Sequence, residues 1–113
     1  MADKTKPFAA LTLGSRSALK LLAAEIQAAR KARGWTEADL AERAGCSRLT
    51  IRAVEAGKPT VAIGYVFEAA TMVGLPLFGG QEIAAGRLAE TRLRLELLPE
   101  RVRHSRPELK DDF

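Results

Sequence analysis

Four stretches of this chain repeat hydrophobic residues at helical spacing, and a glycine follows each of them. From Ser17, Leu19, Leu22, Ile26 and Ala29 fall at i, i+3, i+7 and i+10, one face of a helix. Gly34 closes that helix, and Arg30, Lys31 and Arg33 suit the negative end of its dipole. Trp35-Thr36-Glu37-Ala38-Asp39-Leu40 is a start signal. Thr36 is placed to cap, Asp39 sits three residues on as in a capping box, and Trp35 and Leu40 take the two positions of a hydrophobic staple. This short second helix ends at Ala44-Gly45. Ser47 caps a third helix with Ile51 and Val54 inward, and Gly57 stops it before the loop Lys58-Pro59-Thr60. Ile63, Val66, Phe67, Ala70 and Val73 share one face of a fourth helix, closed by Gly74 and Pro76.

Beyond Gly74 the pattern is less regular. Leu75-Pro76-Leu77-Phe78 reads as a short extended segment, and Gly79-Gly80 as a break. Ile83, Arg87 and Leu88 begin like a helix, whereas Arg92-Leu93-Arg94-Leu95-Glu96-Leu97 alternates like a strand. A helix from about Gln81 to Arg92 is expected, and the residues after it stay open between the two patterns. Four regions follow: an N-terminal arm over 1–16, a helical domain over 17–75, an extension over 76–98 and a tail over 99–113.

The chain has 113 residues, 47% of them hydrophobic but only 5% aromatic, which implies one small domain with an aliphatic core. Such a core gives limited stability, so a dimer is a natural expectation. Net charge is +4, with twelve arginines to six lysines, a balance compatible with nucleic acid, an anionic membrane or plain solubility. No apolar run approaches the ~18 residues of a membrane span, and the N-terminus lacks the apolar core of a secretory signal. A single cysteine excludes an intrachain disulfide, and a cytoplasmic location is the expectation. One histidine and one cysteine are poor material for a metal or nucleophilic site, and no glycine-rich phosphate loop follows a strand. Neither catalytic residues, nor a metal, nor a cofactor is expected.

Two short helices joined through Gly45-Cys46-Ser47 suggest a helix-turn-helix. Its physics asks for a small residue where the helices cross, and Ala41 stands there. Gly45 leaves helix 2 in a conformation that costs glycine least. Ile51 and Val54 fill the space between the helices. One of these residues alone would mean little; all four, with caps on both helices, form a specific constellation.

The stretch EADLAERAGCSRLTIRAVEAG resembles the phage-repressor-type (Xre) helix-turn-helix, an all-α, five-helix lambda-repressor-like domain, over about residues 17–75. That resemblance implies a recognition helix in the major groove and a homodimer on palindromic double-stranded DNA. Ser47, Arg48, Leu49 and Arg52 match its base-reading positions. Thr50 and Glu37, at the start of helix 2, match positions that touch phosphate. Arg30 and Glu55 match an ion pair tying helix 1 to helix 3. Three positions depart from the pattern: the usual glutamine opening helix 2 is Glu37, which phosphate would repel, the usual valine before the cap is Cys46, a harmless change, and Ala53 stands where many members place a polar or basic reader. Either Glu37 turns away or helix 2 sits farther from the DNA backbone. Readout then concentrates on Arg48 and Arg52, one helical turn apart, each able to grip guanine with two hydrogen bonds. Leu49 is open to meeting a thymine methyl or resting against helix 2. Lys58 suits a phosphate contact better than readout.

Residues AGKPTVAIGYVFEAATMVGLPLF and ETRLRLELLPERVR are similar to HipB-type antitoxins, which repress their own operon and bind a HipA-type kinase toxin. The sequence therefore points to a DNA-binding repressor that is also an antitoxin, or to a stand-alone Xre-type regulator without a toxin partner. In the tail, Arg101, Arg103 and Arg106 are open to phosphate contacts, to a partner-docking role anchored by Phe113, or to disorder. Cys46 reads as a small buried hydrophobe, and His104 as a solvated tail residue.

Overall fold

Thr12 opens the first helix ahead of the residues whose period announces it. Its Oγ1 accepts a hydrogen bond from the Ser15 amide at 3.3 Å, and helix α1 runs Leu13–Ala32. The computed structural model describes residues 10–102. The basic and apolar residues of the N-terminal arm from Lys4 to Phe8 lie outside them, as do Arg103, His104, Arg106 and Phe113 of the tail.

Four more helices follow: α2 (Glu37–Ala44), α3 (Arg48–Glu55), α4 (Ile63–Met72) and α5 (Gln81–Leu97). The described residues contain no strand, so the fold is all-α. The capping box at α2 is complete. Thr36 Oγ1 accepts from the Asp39 amide at 3.0 Å, and Asp39 Oδ2 accepts from the Thr36 amide at 2.8 Å. The Thr36 amide first, and the Thr36 side chain second, hold the Asp39 carboxyl below its ordinary pKa, because hydrogen bonds to the carboxylate favour its ionised form.

The core lies where α1, α2, α3 and α4 meet. Ile26, Leu40 and Ile51 are fully buried in it, beside Ala41, Ala44, Val54, Ala69, Ala70 and Val73. Burying each of the three large side chains is worth about 1.5–3 kcal/mol. Four alanines at the contacts let the helices approach closely, which is why this core needs few aromatic residues.

Three expectations change. The α4 face that meets the core is Val66, Ala69, Ala70 and Val73, whereas Ile63, in the first turn, is 66% exposed. The apolar run after α4 is no strand: Leu77–Gly79 closes a 3-10 turn. Pro76 has no amide to offer a ladder, and Phe78 enters the left-handed region at φ 53°. Helix α5 continues through Leu97. Arg92–Leu97 holds only Leu, Arg and Glu, all good helix formers, and a lone strand there would leave its backbone groups without partners. No residue of α5 is buried, and it rests chiefly against the turn that precedes it. No helix among the described residues is long and apolar enough to cross a membrane.

Candidate nucleic-acid interface

Gly45 makes the sharp exit from α2. Its φ of 72° lies in the left-handed region, and the following Cys46 amide donates to the Ala41 carbonyl at 3.0 Å. Ser47 then starts α3 by accepting from the Thr50 amide at 3.1 Å, while its Oγ also pairs with Thr50 Oγ1 at 2.9 Å. Ala41, Ile51 and Val54 are buried where the two helices cross. Cys46 packs half-buried against the core, and burial pushes its thiol pKa up, which keeps it a neutral thiol at pH 7.

A second brace reaches α3 from α1. Arg30 forms a two-pronged pair with Glu55, Nε to Oε2 at 2.6 Å and Nη2 to Oε1 at 2.9 Å. Its Nη1 donates to the Trp35 carbonyl at 2.8 Å. Side-chain exposure is 8% for Arg30 and 4% for Glu55, so both charges are largely withdrawn from water. The hydrogen bond to Glu55 is the main reason the Arg30 pKa is raised. This guanidinium thereby holds α1, the loop before α2, and the end of α3 in one arrangement.

The braced helix presents a basic outer face. Arg48 and Arg52 are exposed, and Leu49 is 68% exposed, so most of its side chain stands in solvent. Ser47 is exposed at the N-terminus of α3, and Thr50 is half-buried behind it. Lys58 is exposed in the loop after α3, on the rim of an apolar cleft of about 420 Å³ between α1 and α4. The Glu37 carboxylate turns towards α3. Its Oε1 accepts from Arg52 Nε and Nη2, both at 3.3 Å. The structure thus brings the first residue of α2 onto the face that carries Arg48 and Arg52.

Three contacts on these elements went unseen in the sequence. Glu37 and Arg52 were each singled out, yet opposite charges fifteen positions apart are too common to announce a pair. Arg33 Nε donates to the Val73 carbonyl at 3.0 Å and ties α1 to the end of α4. The Arg43 guanidinium lies 4.1 Å from the Trp35 ring centre, a cation–π contact at the α1–α2 junction.

Residues 21–78, half of the chain, match the family model described as a helix-turn-helix domain. The chain belongs to the helix-turn-helix domain family. No curated protein and no solved structure matches it. The matched segment runs from within α1 to the turn after α4 and contains the whole α2–α3 unit with its two braces. In a helix-turn-helix domain the second helix of the pair enters the major groove, and the family points to a DNA-binding regulator.

Proposed function

We propose that this helix-turn-helix protein is a sequence-specific transcriptional repressor of the Xre type, acting in the cytoplasm as a homodimer on a palindromic operator. The outer face of α3 carries the reading. Arg48, Leu49 and Arg52 are exposed there on a helix held from behind by Ile51, Val54 and the Arg30–Glu55 pair. Arg48 and Arg52 read base edges, Leu49 meets a thymine methyl, Thr50 and Lys58 approach phosphates, and Ser47 adds a base or phosphate contact to its capping role. Each subunit places α3 in one major groove, with half-sites about 34 Å apart. Selection of bound sequences from random DNA, followed by gel shifts, tests this. A folded double variant, Arg48→Ala with Arg52→Ala, should lose specific binding; retention of full specificity refutes the assignment.

A second activity has its own support. α5 buries no residue, and Leu88, Leu93, Leu95 and Leu97 are all at least half exposed. Residues 76–98 then serve as a dimerisation or partner-binding extension. In the antitoxin reading the protein also neutralises a HipA-like kinase toxin; the alternative is a stand-alone regulator. Co-purification of the products of the native operon separates the two. A kinase-like protein retained in stoichiometric complex supports the first, and its absence from a purified, DNA-competent dimer supports the second.

A further inference from the structure

Glu37 is an unfavourable residue to carry towards DNA, and its contact with Arg52 gives it a use. The pair is open to solvent, with 57% of the Arg52 side chain and 27% of the Glu37 side chain exposed. An ion pair this exposed contributes little to stability, so stability does not account for a carboxylate at this point. The Glu37 charge is also the smallest of the influences that favour protonated Arg30.

We propose that Glu37 is a specificity-determining positioning residue that makes Arg52 a base reader instead of a phosphate clamp. This rests on the DNA-binding reading of the α3 face. A guanidinium carries five N–H donors. Two of them, on Nε and Nη2, are directed to Glu37 Oε1. The far edge of the planar group keeps donors on both terminal nitrogens, the arrangement that matches O6 and N7 of guanine. A free arginine beside DNA is drawn to any phosphate, and phosphate contacts carry no sequence information. With Glu37 opposite, the net charge of the pair is zero, and its pull on phosphate is largely cancelled. The hydrogen-bonding edge remains. Affinity for unrelated DNA is given up and discrimination is retained, which is selectivity achieved by weakening the wrong complex.

The test uses Glu37→Gln, which keeps the shape and removes the charge, alongside Arg52→Ala and the double variant, all in the full-length protein. Binding is measured on the selected site, on its single-base-pair variants and on unrelated duplex, across a salt series. In wild type, Arg52→Ala identifies the base pair that Arg52 reads, as the position where discrimination disappears. Glu37→Gln should bind unrelated DNA roughly tenfold more tightly and steepen the salt dependence by about one phosphate contact. It should also lower discrimination at the Arg52 base pair by several-fold. In the Arg52→Ala background, Glu37→Gln should leave the preference at that base pair unchanged. Unaltered base preference in a folded Glu37→Gln overturns the proposal, and so does an equal gain on all DNA that persists without Arg52, since Glu37 would then act only by repelling phosphate. A wild-type protein that enriches no sequence overturns the DNA-reading surface itself, and this proposal with it.

Discussion

Arg30 and Glu55 show how much a small fold can rest on one pair of side chains. Both are nearly buried and their hydrogen bonds are satisfied, so the costly event is removal of one partner. Glu55→Ala strands the Arg30 charge and should destabilise the protein by about 3–5 kcal/mol, measurable as a lower midpoint in urea unfolding. Net stabilities of domains lie at about 5–15 kcal/mol, so this variant approaches the threshold of folding. Ile51→Ala, a fully buried side chain between α2 and α3, should cost about 2–5 kcal/mol in the same assay. The inward position of Ile51 was readable from the period, whereas the Arg30–Glu55 pair was implied only by the family resemblance. The Glu37–Arg52 contact was not readable, because it joins the first turn of α2 to the outer surface of α3, and only the crossing of those helices brings the two together.

The helices begin and end on signals that act within four residues. Thr36 with Asp39, and Ser47 with Thr50, are local hydrogen bonds that the chain can make before it has a tertiary structure. Ser47→Ala should cost about 1 kcal/mol and loosen the first turn of α3, seen as faster amide exchange at Thr50. The Asp39 carboxylate links α2 to pH. Its pKa is lower in the folded state than in the unfolded one. Its contribution is therefore complete above the ordinary carboxylate range near pH 4 and is lost as pH falls through the depressed value. Asp39→Asn should flatten that part of the acid unfolding curve followed by circular dichroism. Period was a weaker guide where packing decides. Ile63 fits the apolar stripe of α4 yet lies in the first turn, outside the core, and Arg92–Leu97 alternates but stays helical.

Helix α5 rests chiefly on the turn after α4 and not on the helix-turn-helix unit. A 17-residue helix with no buried residue gains little from its own chain, and exposed leucines along it are typical of an interface. If α5 forms the dimer, Leu88→Glu with Leu95→Glu should give a folded monomer by analytical ultracentrifugation. Operator affinity should then fall steeply, because each monomer reads one half-site alone. The unchanged circular dichroism of α1 to α4 would show that the core does not depend on the dimer.

Caps, glycine exits and the apolar period of α1 to α3 are short-range properties, and the amino-acid sequence determines them through contacts a few residues apart. They are enough to place Ala41, Gly45, Ile51 and Val54 in a helix-turn-helix and to leave Arg48 and Arg52 facing outward. Tertiary structure alone decided the rest. The Arg30–Glu55 clamp spans 25 positions and the Glu37–Arg52 pair 15, and the buried face of α4 depends on how that helix meets α2 and α3. Such pairings depend on where whole helices pack, and packing is settled by the sum of many contacts rather than by any local pattern.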